Sequence, residues 1–292
     1  MTVVVVGVGM WAGGKGPRCP YIHTRSRQRS VAHRSVVADD PVLNSPLNRV
    51  NFNSLTRAGA IAWIVLRDCP PGAAPTAVCP TRMAQTTATG TLADQHSVPV
   101  AGIGLVGAPT STVAVFANPE GKTRAQLVTT VDAGRTWSRH PDPCAFGGGA
   151  LVGTDARQWW LLCEQDYGMG HAIVDVYETT DAGVTWIQKA STNLHGQSTG
   201  GLGAGVSQGV AISPDGRRLW LIGIDGLQTS TDGGQTWTNI PNVDLGGAFA
   251  RLDTVSPERA WISAADQGLW VTADGSRWTA LGATGLPNSR AP

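Results

Sequence analysis

A chain of 292 residues with a net charge of +1 and 15% charged residues sets up no global field to gather nucleic acid or an acidic membrane surface. Its 37 glycines and 11 tryptophans beside so few charges point to many short strands and tight turns. No stretch reaches the roughly 20 apolar residues of a membrane helix, so no transmembrane segment is expected.

The charge is uneven along the chain. Residues 1–46 hold six cations (Lys15, Arg18, Arg25, Arg27, Arg29 and Arg34) against Asp39 and Asp40, a net +4, whereas the remainder carries 16 against 19, a net −3. The segment opens with "MTVVVVGVGMWAGG". No basic residue precedes that apolar run and no A-x-A-like site follows it closely, so it does not read as a signal peptide. Gly7, Gly9 and Ala12 have the spacing of a dinucleotide fingerprint, and Gly9, Gly14 and Lys15 approach a P-loop. Both mechanisms need a helix opening directly after the glycines, so that its N–H groups meet phosphate. Here Gly16-Pro17-Arg18-Cys19-Pro20 follows, which breaks a helix, and no cofactor is expected. Residues 1–46 read as a disordered basic tail.

From residue 47 onward a pattern repeats. Short alternating runs recur: "IAWIVL" (61–66), "TVAVFA" (112–117), "QWWLLC" (158–163), "RLWLIG" (218–223) and "RAWISA" (259–264). Each is followed by a second run, such as "RMAQTT" (82–87), "AQLVTT", "VDVYETT", "GLQTS" or "GLWVT". Runs of this length bounded by Gly, Pro and Asp read as half-buried strands. Four of the second runs lead into a motif: "TVDAGRTW" (130–137), "TTDAGVTW" (179–186), "STDGGQTW" (230–237) and the shortened "TADGSRW" (272–278). Its aspartates, Asp132, Asp181, Asp232 and Asp274, lie 49, 51 and 42 residues apart, the period of a four-stranded propeller blade. The equivalent position in 47–97 reads "ATGTLA", without Asp or Trp. The expected fold is all-β, a β-propeller of five readable blades at 47–97, 98–142, 143–194, 195–243 and 244–284, with 285–292 as a C-terminal tail.

The motif must reverse the chain between the outer two strands of a blade. Asp and Ser/Thr side chains bond to turn amides that lack ladder partners. Gly134, Gly183 and Gly234 supply positive φ. Trp137, Trp186, Trp237 and Trp278 can bury a ring between blades, which cannot cover their faces alone.

The spacing S/T-x-D-x-G-x-T-W resembles the Asp box, or BNR repeat, of sialidases, other glycoside hydrolases, sortilin-type receptors and the photosystem II stability-factor family. The resemblance covers residues 47–284 and implies a propeller in which the box is a structural turn on the face opposite the substrate. It does not choose an activity. Sialidases pair an Arg triad with a Tyr nucleophile, an activating Glu, an Asp acid/base and an early Arg-Ile-Pro. In this chain the one Ile-Pro is Ile240-Pro241, after Asn239. The repeats hold two tyrosines, Tyr167 and Tyr177, and four glutamates, Glu120, Glu164, Glu178 and Glu258. A non-catalytic binding or assembly scaffold is therefore preferred. The alternative is a glycoside hydrolase of exo-sialidase type using Glu164 or Asp166 as acid/base, with a second carboxylate about 5–9 Å across the cleft.

The functional face should carry the loops between second and third strands and those between blades. "CEQDYGMGH" (163–171) gathers Glu164, Asp166, Tyr167 and His171; "STNLHGQSTGGLGAG" (191–205) adds His195; "RDCPPGAAPTAVC" (67–79) adds Arg67. These are the ligand-binding candidates, for a protein, peptide or glycan. No metal site is expected: each box has one Asp rather than a Ca²⁺-wrapping run, and the six histidines lack ligand spacing. Of five cysteines, Cys69 with Cys79 and Cys144 with Cys163 are expected to pair, leaving Cys19 odd. Two local bridges favour an oxidising location, so a secreted or envelope-associated monomer is expected.

Overall fold

The computed structural model of the chain describes residues 51–281, apart from 59–60, 71, 74–78, 87–91, 100–103, 118–125, 145–149, 169–170, 193–197, 204–206, 224–225, 244, 246–249 and 265–267. For 51–58, 94, 104, 165–168, 171–172 and 207–208 it describes the backbone alone. These residues fall within one compact unit, Pro41–Pro292.

Twenty strands form five sheets. Blade 1 holds β1 (Asn51–Ala58), β2 (Ile61–Arg67), β3 (Thr81–Thr86) and β4 (Leu92–Ser97). Blade 2 holds β5 (Gly104–Gly107), β6 (Ala114–Ala117), β7 (Gln126–Thr130) and β8 (Ser138–Pro141). Blade 3 holds β9 (Ala150–Gly153), β10 (Trp159–Gly168), β11 (His171–Thr179) and β12 (Ile187–Ser191). Blade 4 holds β13 (Ser207–Ile212), β14 (Leu219–Gly223), β15 (Gly226–Ser230) and β16 (Thr238–Ile240). Blade 5 holds β17 (Ala250–Thr254), β18 (Ala260–Ala264), β19 (Gly268–Thr272) and β20 (Trp278–Leu281). Every pairing is antiparallel and sequential, as a meander requires. The first strands lie side by side, β1 with β5, β5 with β9, β9 with β13 and β13 with β17, and so line the axis. The fold is a five-bladed β-propeller.

Alternation along each second strand sends neighbouring side chains into different seams. In β10, Trp160 and Leu162 join the core shared with Leu219 and Leu221 of blade 4. Trp159 and Leu161 join the core shared with Val113 and Val115 of blade 2. Trp63 and Val65 of blade 1 meet Ala114 and Phe116 of blade 2, and Trp220 and Ile222 of blade 4 meet Ala260 and Ile262 of blade 5. Each motif Trp packs at the seam with the preceding blade: Trp137, Trp186, Trp237 and Trp278 belong to these four cores in turn. Trp137 sets its ring edge-on to Phe116, with centroids 5.7 Å apart.

The second-strand tryptophans also fasten the blades by hydrogen bonds. Trp63 Nε1 donates to Thr110 O at 3.1 Å, Trp160 Nε1 to Gly233 O at 2.9 Å and Trp220 Nε1 to Gly275 O at 3.3 Å, each reaching the next blade. The sequence marks these tryptophans as strand residues and does not reveal this second task. Trp160 and Trp237 test the seam from its two sides, and Trp237 Nε1 donates to Gly234 O at 3.0 Å within its own turn. Trp160→Phe keeps most of the buried ring and leaves Gly233 O unpaired, so it should cost about 1–2 kcal/mol. Trp237→Ala, at 5% exposure, opens a cavity and should cost about 3–5 kcal/mol. Urea unfolding midpoints at unchanged slope check both values.

Candidate functional site

The three full motif turns share one hydrogen-bond scheme, and the shortened fourth keeps part of it. In the turn after β7, Thr130 Oγ1 donates to Asp132 Oδ1 at 2.9 Å and accepts from the Gly134 amide at 2.8 Å. Asp132 Oδ1 accepts from the Thr136 amide at 2.8 Å, and Oδ2 from the Thr136 hydroxyl at 2.6 Å. Thr179, Asp181, Gly183 and Thr185 repeat these bonds at 2.7–3.0 Å. Ser230, Asp232, Gly234 and Thr236 repeat them at 2.6–2.9 Å. In the shortened copy Asp274 Oδ1 accepts from the Ser276 and Arg277 amides at 2.8 and 2.7 Å. Gly134 has φ +90°, and a Cβ there would sit 3.1 Å from His96 and Met83, so the turn is pressed against blade 1. Ala133 and Ala182, both at φ 63°, share the left-handed region, which their residue type does not announce.

These bonds favour the charged carboxylate. The Thr136 hydroxyl and amide pull Asp132 down to about 2, and those of Thr185 do the same for Asp181. At Asp232 burial pushes upward but is outweighed by Thr236 and Ser230, leaving the carboxyl below its usual range. The Arg277 and Ser276 amides lower Asp274. An acid held ionised, with both oxygens engaged by its own turn in the three full copies, is poorly suited to proton transfer near neutrality.

In an antiparallel meander the second–third connections and the blade crossings lie at the end opposite these turns. Two disulfides sit there. Cys69–Cys79 closes the connection after β2 with Cα atoms 5.1 Å apart. Cys144–Cys163 ties the crossing into blade 3 to β10, at 5.2 Å. Arg67 ends β2 opposite Thr81, and Arg67 Nε and Thr81 Oγ1 are both buried without a hydrogen-bond partner among the described residues. The neighbouring Asp68 is engaged elsewhere, holding Arg82 through two nitrogens and raising that guanidinium's pKa.

Residues 163–168 and His171 differ from the expected loop: they continue two strands. Glu164 stands opposite Val174, Asp166 opposite Ile173, Tyr167 opposite Ala172 and Gly168 opposite His171, with a bulge between Glu164 and Asp166. Backbone pairing carries this ribbon past the blade, where no alternation of hydropathy announces it. The structure thus brings Glu164, Asp166, Tyr167 and His171 onto one hairpin, with Glu164 half-buried. Arg67 belongs to blade 1, and His195 lies outside the described residues. The sequence reading missed Asp175, 6% exposed and opposite Cys163 at the base of the ribbon. Burial first, then the charge of Asp175, raises the pKa of Tyr177, which packs half-buried at the seam with blade 2. Glu178 is held by Lys189 at 3.0 Å and by Gln158 at 3.0 Å. Among the described residues no group of three His, Cys, Asp or Glu side chains could hold a metal ion, and no helix is long and apolar enough to cross a membrane.

No protein-family model matches the chain, and neither does any curated protein. Solved structures do. "YCF48 bound to D1 peptide" is similar at 14% identity over 79% of this chain and 80% of that one, with a TM-score of 0.35. An oligogalacturonate lyase in complex with manganese is similar at 8% identity over 77% of this chain and 66% of that one, with a TM-score of 0.50. The β-propeller domain of the Trilobed protease from Pyrococcus furiosus is similar at 9% identity over 80% and 85%, with a TM-score of 0.43. Likeness at these identities concerns the fold alone.

The depressed carboxyls carry a pH dependence. Their stabilisation is complete above the ordinary carboxylate range, near pH 4, and is lost as pH falls through about 2 for Asp132 and Asp181. Carboxyl-carbon NMR titration should give midpoints near 2 for both, and Thr185→Val should raise the Asp181 midpoint. An Asp181 midpoint unmoved by that substitution would contradict the turn's role.

Proposed function

We propose that the chain is a non-catalytic Asp-box propeller, an exported scaffold that binds or assembles partners through the face opposite its motif turns. The observation that carries this reading is the engagement of the motif acids by their own turns: Asp132, Asp181 and Asp232 each accept from a backbone amide and a hydroxyl four residues on. The repeated chemistry is thereby used in construction, and a ligand is left to the other face. The sequence supports the same reading by lacking the Arg-Ile-Pro of sialidases.

The ligand is a protein, peptide or glycan, and the residues proposed to meet it are Glu164, Asp166, Tyr167, His171, His195 and Arg67. Concave rims with a few polar groups are the usual place for such contacts. Export is supported by the two disulfides, which persist in oxidising compartments.

The test is a glycan and peptide array read beside a hydrolysis assay on sialosides and on plant and bacterial glycans. Saturable binding without turnover is expected. Turnover abolished by Glu164→Gln would overturn the scaffold reading in favour of a glycoside hydrolase.

A further inference from the structure

Two polar side chains at one end of the seam between blades 1 and 2 have no structural partner. Along β2 and β3 the pairs Trp63 with Gln85, Val65 with Met83 and Arg67 with Thr81 succeed one another on one face. Trp63, Val65 and Met83 are buried in the core shared with Phe116 and Val128 of blade 2. Arg67 and Thr81 are thus the last rung of the same column, beside the connection that joins β2 to β3. Thr81 is 1% exposed, and its hydroxyl oxygen has no hydrogen-bond partner among the described residues. Arg67 Nε is buried and unpartnered in the same way. Buried polar atoms are ordinarily paired, so two open ones facing each other across a strand pair call for an explanation. Arg67 as a whole is only half-buried, which leaves the rung within reach of solvent.

Alternation explains why the nearest acid does not answer Arg67. Asp68 falls on the opposite face with Leu66, and there it holds Arg82, the partner of Leu66, through Nε and Nη2. Asn51, opposite Arg67 on β1, carries no charge. Asp142, just after β8, accepts from the Cys144 amide at 2.9 Å. The blade 2 connection 118–125 lies outside the described residues, and its composition, Glu120 against Lys122 and Arg124, adds positive charge rather than negative. On the blade 2 side Gln126 is exposed, two residues before Val128 on β7, and alternation turns it toward the same seam.

The rung sits on fixed backbone. The Asp68 amide donates to Pro80 O at 2.9 Å, which carries the ladder one step beyond Arg67 and Thr81, and Cys69–Cys79 closes the connection directly after it. Thr81 O accepts from the Val98 amide at 2.9 Å, tying the rung to the crossing into blade 2. A guanidinium fork and a hydroxyl held side by side, with one positive charge between them, match a planar monoanion that offers two oxygens.

We propose that Arg67 and Thr81 form a subsite for the carboxylate of a small acid, the guanidinium donating in bidentate fashion and the Thr81 hydroxyl adding a third bond. Because Nε and Oγ1 are enclosed, the group that meets them must enter end-on, as a small organic acid or an acidic sugar does. The subsite deepens the scaffold reading and rests on it, by naming a ligand chemistry for the face opposite the motif turns.

The test uses the full chain with sodium acetate and sodium glucuronate as probes, at constant ionic strength against sodium chloride. The Arg67 Nε–H and the Thr81 amide are followed by nitrogen–proton NMR. Saturable shifts of both signals are expected in the millimolar range for at least one acid, and none for chloride, acetamide or glucose. Glucuronate binding tenfold tighter than acetate would support an acidic sugar as the source, and equal affinity a small organic acid. Thr81→Val removes the open hydroxyl and keeps the shape, so the melting temperature should hold or rise while acid affinity falls at least fivefold. Arg67→Lys keeps the charge and loses the fork, and should weaken binding at least tenfold, read at the Thr81 amide. If Arg67→Lys does not fold, Thr81→Val and the neutral probes decide. Shifts of equal size with acetate and chloride would overturn the subsite, as would unchanged acid affinity in Thr81→Val. Array binding of glycans or peptides without any response of Arg67 to either acid would also overturn it, while leaving the scaffold reading intact.

Discussion

A four-stranded blade has two apolar faces and can bury neither by itself, so the whole molecule depends on what closes the seams between blades. Here that work falls to indoles. The second-strand tryptophans Trp63, Trp160 and Trp220 are 0–2% exposed and reach the next blade with their N–H groups. The motif tryptophans fill the same seams from the other side. Two carbonyls that accept these bonds, Gly233 O and Gly275 O, belong to the motif turns themselves. Turn geometry and seam closure are therefore one construction: the Asp fixes the turn, and the turn presents an acceptor to the neighbouring blade.

That coupling accounts for where the acids sit. The three full turns place a hydroxyl and an amide four residues beyond each Asp, and the bonds hold Asp132 and Asp181 ionised far into acid. A carboxylate so engaged gives rigidity to a surface turn. The opposite end of each blade is free of that requirement, and there the sequence diversifies into two disulfides and a projecting ribbon.

What could be read from sequence was what is encoded locally. Thr130, Asp132, Gly134 and Trp137 fall within eight residues, so their turn chemistry survives as a motif at each copy. Cys69 with Cys79, and Cys144 with Cys163, are separated by 10 and 19 residues, short enough for strand reasoning to pair them. The contact from Trp160 to Gly233 spans 73 residues and leaves no local trace. The ribbon from Glu164 to Val174 was hidden because backbone register, rather than a buried apolar face, pairs it. Ala133 and Ala182 were hidden because alanine does not advertise a left-handed backbone. Asp175 escaped notice because a single acid in an apolar strand gives no pattern.

The claim that the repeated acid is structural is tested most directly by ligand affinity in Asp181→Ala, measured beside its melting temperature against wild type. Affinity for whatever ligand the arrays identify should stay within about twofold while the melting temperature falls. Loss of affinity at an unchanged melting temperature would contradict the account, because it would make the motif a site after all.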